Sequence, residues 1–211
     1  MSGDTENPQT REIEPEQQRA FEGVLAEAVA VVEGEGAPYV AAGSMASNAW
    51  GRPSPVADLD LVVNPTDAKR VLKAFDSAGF ETEETEPHWL FKAAKDGVTV
   101  DVIFELEGSL YLDDEMIARA TIQEVAGTRL RLMPPEDFIV SQAMSTTKDT
   151  PDYWYNALGV LARSNIDWDY LIQRASRGPR RVLALIIYAQ SNDLTVPDDV
   201  IRRLFTTVYG H

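Results

Sequence analysis

The sequence predicts an α/β (α+β) fold in which a mixed β-sheet is followed by a C-terminal helical domain. Short apolar runs typical of strands fill the first part of the chain, and helical spacing of apolar residues dominates after Met133. The length of 211 residues allows one sizeable core, or one core with a smaller appended domain. We predict a disordered acidic segment over 1–14, a mixed α/β domain over 15–133 and a helical domain over 134–211.

The first half of the chain alternates helices and strands. From Pro15 to Val32 apolar residues recur at helical spacing, after a proline suited to a first helical turn. The glycines of EGEGAP end this helix, and YVAAG is typical of a short buried strand that ends at Gly43. A short helix from Ser44, an irregular GRPSP loop and the strand VADLDLVV come next, and the segment from Thr66 to Ala78 is amphipathic and predicted to be helical.

Two strand-like runs, HWLFKAA and VTVDVIF, are joined by an Asp-Gly pair, which is a strong signal for a two-residue hairpin loop. With Asp96 and Gly97 as the loop residues, counting back along both strands sets Lys92 opposite Asp101 on the same face. A slip of one residue would destroy this pairing. A further strand, TRLRLM, precedes five predicted helices: PPEDFIVSQAMS, TPDYWYNALGVLARS, DWDYLIQRAS, PRRVLALIIYAQS and PDDVIRRLFTTV.

The composition is that of a globular protein with a strong acidic excess. No apolar run is long enough to span a bilayer, and the N-terminus lacks the basic start and apolar centre of a signal peptide, so we expect a soluble protein. The absence of cysteine excludes disulfides and thiolate metal sites and fits the cytoplasm. A formal charge of -15 disfavours attraction of nucleic acid to the whole surface. The arginine-rich segment after Ala162 leaves open a local anion site or ordinary ion pairs.

Two acids one residue apart lie in the strand VADLDLVV. Asp58 and Asp60 share one face of this strand because successive side chains alternate. Asp101 adds a third acid in a later strand. Such clustered carboxylates need a counter-charge, and Mg²⁺ prefers carboxylate and phosphate oxygens. The alternative is a row of exposed acids on a half-solvated sheet.

The turn at Gly43 and Ser44 has features that suit a phosphate. A helix that begins at Ser44 presents free backbone N–H groups and the positive end of its dipole. Gly43 would let a ligand approach the backbone closely. Ser44 is equally suited to capping the helix, and both roles are compatible.

The pattern of Gly-Ser, a gap, then apolar-Asp-apolar-Asp-apolar, with a later third Asp, resembles the nucleotidyltransferase superfamily that includes DNA polymerase beta. The residues that carry it are Gly43, Ser44, Asp58, Asp60 and Asp101. The resemblance implies that the three acids are catalytic and hold two Mg²⁺ ions, one of which activates the attacking hydroxyl while the other binds the triphosphate. It implies that Asp101 assists the nucleophile and that Gly43 and Ser44 cradle phosphates.

The run PPEDFIVSQAMSTTKDTPDYW resembles a segment of minimal nucleotidyltransferases, including the toxin partners of abortive-infection toxin–antitoxin systems. Lys148, Asp149 and Asp152 match its Lys-Asp-x-x-Asp element. Gln142 and Thr146 stand where the family carries a helix lysine and often an arginine that help bind the triphosphate. The resemblance therefore implies nucleotide-binding roles for Gln142 and Lys148.

Lys92 and Arg52 are candidates for supplying the lost positive charge. Arg52 precedes the acids and could contact a phosphate through two nitrogens, although an ordinary loop arginine is an equal alternative. Lys92 is as well suited to pairing with Asp101 as to binding phosphate. Among the aromatic residues of the helical part, Tyr153, Trp154, Tyr155 and Trp168, stacking on a base competes with ordinary helix packing.

The pattern as a whole predicts a Mg²⁺-dependent enzyme that transfers a nucleoside monophosphate from a nucleoside triphosphate to a hydroxyl of a small molecule, a protein or RNA. The toxin-type resemblance adds an antitoxin or other partner protein as an expectation. The alternative is a non-catalytic nucleotide sensor of the same fold, or one half of a two-component complex. A phosphatase or nuclease would need a different order of motifs.

Overall fold

A computed structural model describes residues 15–53, 56 and 58–210 of the chain, so the predicted disorder of 1–14 lies outside the described residues. The helices in this part are α1 Pro15–Gly34, α2 Gly43–Ala49, α3 Ala68–Ser77, α4 Asp114–Arg119, α5 Pro135–Ser145, α6 Asp152–Leu161, α7 Trp168–Arg174, α8 Pro179–Ser191 and α9 Asp198–Tyr209, with a 3₁₀ turn at Ala175–Arg177. None of them has the length and apolar character needed to cross a membrane.

Within the described residues, seven strands form one mixed sheet. They are β1 Tyr39–Ala41, β2 Asp58–Val63, β3 Glu81–Glu86, β4 Leu90–Lys95, β5 Val98–Ile103, β6 Thr121–Val125 and β7 Thr128–Leu132. Their order across the sheet is β3-β4-β5-β2-β1-β7-β6. The pairs β2–β5 and β1–β7 are parallel, and the other neighbouring pairs are antiparallel. The mixed sheet and the helical C-terminal part confirm the predicted fold class.

The hairpin between β4 and β5 has the predicted register. Asp96 and Gly97 both adopt positive φ angles, 51° and 78°, as the favoured two-residue hairpin turn requires. Lys92 is paired with Asp101 across the two strands. The turn residues alone were enough to predict this register, because a two-residue loop leaves no freedom in the count.

Three elements were not predicted from the sequence: β3, α4 and β6. Strand β3 has the sequence ETEETE and lies at one edge of the sheet, where it pairs only with β4 and needs no apolar face. Strand β6 lies at the opposite edge. Helix α4 has six residues and begins after Asp113, whose carboxylate accepts a hydrogen bond from the backbone N–H of Met116. Periodicity is a weak signal in elements this short or this polar.

Hydrophobic residues pack on both faces of the sheet. One cluster joins alternate strand residues such as Leu61 and Val100 to α1 and α3, through Leu25 and Phe75. The other joins Val62 and further strand residues on the opposite face to the helices that follow Met133, among them Phe138 of α5, Leu185 of α8 and Leu204 of α9. The helical part therefore covers one face of the sheet, and the predicted boundary near Met133 stays a prediction.

Candidate active site

The three predicted acids lie together on the sheet face that the helical part covers. In the parallel pair of β2 and β5, Asp60 is the register partner of Asp101. Asp58 lies two residues before Asp60 and therefore shares its face, and so does Val62, which packs against the helical part. The tertiary structure thus brings together three carboxylates that are separated by 43 residues of sequence at most.

The ionised carboxylate of Asp60 is destabilised by its surroundings in the folded protein. Its pKa is raised from the ordinary value of 3.8 to about 7, first by burial and then by the negative charges of Asp58 and Asp101, against the positive charge of Lys92. Lys92 Nζ donates to Asp101 Oδ1 at 2.8 Å, so this lysine serves as an ion-pair partner at the edge of the cluster. One lysine leaves the three acids short of positive charge.

Gly43 is required where α2 begins. Its φ angle is +51°, and a Cβ atom built on it would lie 1.7 Å from Oδ2 of Asp60. The start of α2 therefore contacts the Asp60 carboxylate with no side chain between them. Only glycine satisfies both the backbone conformation and this close approach.

Ser44 does not act as an ordinary helix cap. The residue in the N-cap position is Ala42, and no side chain caps α2. The Oγ atom of Ser44 is buried and has no hydrogen-bond partner among the described residues. A buried hydroxyl without a partner is costly, so this atom is available for a ligand.

A cavity of about 940 Å³ opens above the acids, between the sheet and the helical part. Six of the predicted site residues line it: Gly43, Ser44, Asp58, Asp60, Asp101 and Gln142. Helix α5 supplies Phe138, Ser141, Gln142 and Ser145, at the i, i+3, i+4 and i+7 positions of one helix face. The helix therefore presents a mostly neutral polar face to the carboxylates.

Gln142 is paired with a residue that sequence reasoning missed. Asn156 Nδ2 donates to Gln142 Oε1 at 3.3 Å, which joins α5 to α6, and both side chains line the cavity. No sequence signal distinguishes Asn156, because a single asparagine in a helix has many uses. Gln142 of this pair stands where the family carries a helix lysine.

The three predicted cations lie outside the cavity wall. Arg52 packs across Gly159 of α6, where a Cβ atom would lie 2.4 Å from its Cδ, and its Nη1 donates to the carbonyl oxygen of Pro53 at 2.9 Å. Lys148 has a side chain that is 90% exposed, and its Nζ lies 3.7 Å from Asp149. Phosphate binding by Arg52, Lys92 and Lys148 stays a prediction that their positions do not support.

Several other residues of the wall were not among the predicted site residues. Glu105 and Glu107 follow β5, His88 and Trp89 precede β4, and Tyr153 belongs to α6. Tyr153 was one of several aromatic residues considered for stacking, and its neighbour Trp154 instead packs against Tyr188 with ring centroids 5.9 Å apart. Tyr153 lines the cavity and Trp154 packs against α8 because the two side chains leave α6 in different directions. The sequence does not determine how α6 is rotated about its axis.

The donor chemistry of the site fits a hard cation such as Mg²⁺. Three carboxylates share one face, and burial together with the charges of Asp58 and Asp101 raises the pKa of Asp60, so a cation beside it would stabilise the ionised form. Among the described residues, no three or more His, Cys, Asp or Glu side chains are gathered closely enough to enclose a metal ion. Mutual repulsion and the Lys92 ion pair both oppose such a gathering in the protein alone.

Comparison with known protein families identifies the class of this protein. A family model described as "Uncharacterised nucleotidyltransferase" matches residues 12–194, and the chain belongs to this family. The match confirms the predicted superfamily and enzyme class. No curated protein sequence matches the chain.

Several solved structures are similar to this chain at low sequence identity. An antigenic nucleotidyltransferase-like protein from Paracoccidioides brasiliensis is 15% identical, with a TM-score of 0.52 over 92% of this chain and 98% of that one. The antibiotic-resistance factor ANT(2'')-Ia is 14% identical, with a TM-score of 0.49 over 83% and 94% of the two chains. The lincosamide antibiotic adenylyltransferase LnuA is 10% identical, with a TM-score of 0.48 over 68% and 98%.

Proposed function

We propose that this protein is a Mg²⁺-dependent enzyme that transfers a nucleoside monophosphate from a nucleoside triphosphate to an acceptor hydroxyl, on a small molecule, a protein or RNA. The observation that carries the proposal is the set of three carboxylates on one sheet face beneath a large cavity, with Gly43 in contact with Asp60. Family membership supports the transfer chemistry.

Asp58, Asp60 and Asp101 would hold the Mg²⁺ ions. When bound, the ions would neutralise the charge of the triphosphate and make the acceptor hydroxyl more acidic. The acceptor oxygen forms a bond to the α-phosphorus, the bond from that phosphorus to the bridging oxygen breaks, and pyrophosphate leaves. The hydroxyl proton goes to a carboxylate of the cluster, for which Asp101 is the candidate. Positioning accounts for most of the catalysis.

The chain's own residues would orient the triphosphate at the start of α2. The missing side chain of Gly43 lets the Asp60 carboxylate lie against the start of α2, and the free Oγ of Ser44 supplies a donor for a phosphate. Gln142 and Asn156 present amide groups to the cavity, which suit hydrogen bonds to a base or a sugar.

Replacement of single carboxylates tests the proposal. Asp58→Asn and Asp60→Asn should each abolish transfer of label from α-³²P nucleoside triphosphates and weaken Mg²⁺-dependent triphosphate binding measured by calorimetry. Asp76→Asn is the matched control, since Asp76 is exposed on α3 and does not line the cavity. A wild-type protein that binds no triphosphate with Mg²⁺, or variants that keep full activity, would contradict the proposal.

A non-catalytic nucleotide sensor of the same fold is the second candidate. Its supporting observation is the cavity wall, where none of the described lining residues is a lysine or an arginine and Gln142 takes the place of the expected cation. Tight triphosphate binding with no transfer to any acceptor would favour the sensor. A toxin-type activity, an antitoxin partner and a cytoplasmic location stay predictions.

A further inference from the structure

The cavity contains more negative charge than the metal-binding acids account for. Besides Asp58, Asp60 and Asp101, its wall includes Glu105 and Glu107. Among the described lining residues there is no lysine or arginine to balance them, and the whole chain carries a formal charge of -15. Since Mg²⁺ and a triphosphate would use the three aspartates, the two glutamates remain for another ligand.

Glu105 lies on the same sheet face as the catalytic acids. Asp101, Ile103 and Glu105 line the cavity as alternate residues, so the side-chain alternation of β5 continues past the end of the strand. Ser109 Oγ donates to Glu105 Oε1 at 2.9 Å and helps to hold this carboxylate in place. The glutamate is therefore positioned beside the reaction centre, further along the chain than the metal-binding acids.

The segment that carries both glutamates is packed against the helical part. Gly108 has a φ angle of +79°, and a Cβ atom on it would lie 2.7 Å from Cε of Met144 in α5. The backbone of this segment thus lies directly on Met144. Glu107 is exposed at its surface while still lining the cavity.

Two aromatic side chains of the wall are unusually open to solvent. Trp89, just before β4, is 43% exposed, and Tyr153 of α6 is 40% exposed. Aromatic faces beside carboxylates attract organic cations, because the ring quadrupole and the carboxylate charges act in the same direction. The same surroundings repel a phosphate-rich acceptor.

We infer that the acceptor is a small hydroxyl compound that carries ammonium groups, bound by Glu105 and Glu107 with Trp89 and Tyr153 beside it. This inference rests on the proposed function, since it describes the second substrate of that reaction. RNA is not the expected acceptor, because its phosphates would lie against a cavity wall with no lysine or arginine among its described residues.

A matched pair of saccharides tests the charge requirement. The cationic probe is chitosan trisaccharide, and the neutral probe is its fully N-acetylated form, which keeps the same ring skeleton. Binding of each is measured by calorimetry with Mg²⁺ and α,β-methylene-ATP, which cannot undergo transfer, and again without nucleotide. We expect the cationic probe to bind at least tenfold more tightly and to weaken as NaCl is added.

Neutralising the two glutamates tests the location. Glu107→Gln and the double variant Glu105→Gln/Glu107→Gln should weaken binding of the cationic probe, by about tenfold or more in the double variant, and leave nucleotide binding unchanged. Glu107→Gln should fold normally because Glu107 is exposed. Glu81→Gln is the control of equal charge change, since Glu81 is exposed on the edge strand β3 and does not line the cavity.

Three results would overturn the inference: equal affinity for the neutral probe, unchanged affinity in the double variant, or tighter binding of a short RNA oligonucleotide. Absence of any binding by the cationic probe would also overturn it. Failure of the proposed function is separate, because it would appear as loss of Mg²⁺-triphosphate binding while the measurements without nucleotide still report on Glu105 and Glu107.

Discussion

At the scale of single residues, Asp60 is a carboxylate whose ionised form is destabilised by folding. Its carboxylate is mostly buried beside two further acids, and its pKa rises from 3.8 to about 7 on folding. The folded protein therefore holds the proton more tightly than the unfolded chain does. Without metal, the contribution of Asp60 to stability falls as pH rises between about 4 and 7, and its full penalty is present above pH 7.

Replacement of Asp60 by asparagine should relieve this penalty. We expect Asp60→Asn to raise the free energy of unfolding at pH 8 in EDTA, by roughly 1 to 3 kcal/mol, while the gain disappears below about pH 4. Thermal unfolding over a pH series measures it, with Asp76→Asn as the control for loss of an exposed acid. If the variant were no more stable than the wild type at pH 8, ionisation of Asp60 would not be a main source of instability in the folded protein.

Gly43 lies directly against the same carboxylate. An alanine there would place its Cβ 1.7 Å from Asp60 Oδ2 and would have to adopt a φ angle of +51°. Gly43→Ala should displace the Asp60 side chain and weaken Mg²⁺-dependent triphosphate binding at least tenfold, with a smaller loss of stability of about 1 kcal/mol or more.

The control for this substitution is Gly23→Ala in α1, where a Cβ atom meets nothing within 4 Å. In a helix interior this change should be neutral or stabilising by up to about 1 kcal/mol. If Gly43→Ala bound the triphosphate as well as Gly23→Ala does, the close approach to Asp60 would have no role in the site.

At the scale of elements, a buried ion pair joins α5 to α7. Arg174 of α7 is 8% exposed, and its Nε donates to Asp137 Oδ1 of α5 at 2.5 Å. Tyr170 Oη donates to the other carboxylate oxygen at 2.6 Å, and Arg174 also pairs with Asp113 at the start of α4. Because α5 forms one wall of the cavity, this network holds the wall in place.

Removing the arginine should be costly. Arg174→Met leaves the buried Asp137 without its cation, and we expect a loss of about 3 to 5 kcal/mol in the free energy of unfolding, measured with urea. Arg203→Met is the matched control, because Arg203 pairs with Asp169 at the surface, where side-chain exposures are 45% and 82%. That pair should contribute less than about 1 kcal/mol. Equal losses in the two variants would contradict this account.

Another arginine of the helical part serves the structure of α5. Arg181 Nη1 donates to the carbonyl oxygens of Met144 and Thr146, both at 2.6 Å, where the last carbonyls of that helix lack partners within it. The sequence left open an anion site among these arginines. For Arg181 the structure favours a structural role, so loss of RNA binding on its replacement would not identify an RNA contact.

At the scale of the whole molecule, one hydrophobic cluster crosses the predicted boundary at Met133. It contains Val40 and Val62 of the sheet together with Leu185 and Leu204 of the helical part, and Met133 itself is buried in it. We expect the two parts to unfold in one cooperative transition in calorimetry, because neither can expose this shared core alone. A fragment ending at Met133 that folded stably by itself would contradict this expectation.

Local signals were sufficient for much of the fold. The apolar spacing predicted α1, α3 and the five C-terminal helices, and the Asp-Gly pair predicted the register that sets Lys92 opposite Asp101. Strand β3 escaped prediction because an edge strand can be polar on both faces. The sequence also predicted that Gln142 and Asn156 lie in helices. Their hydrogen bond could not be predicted, because it depends on how α5 packs against α6.

The sequence by itself determined which acids and which turn lie at the candidate site. Asp58 and Asp60 share a face because strand side chains alternate, and the Gly-Ser turn is recognisable because glycine has a conformational freedom that other residues lack. Only the tertiary structure determined which charged side chains surround these acids and this turn. In the tertiary structure, Arg52 packs against Gly159 and Lys148 is exposed to solvent. Glu105 and Glu107 line the cavity. Long side chains on loops and helix surfaces take their positions from distant packing, and no local pattern records that packing.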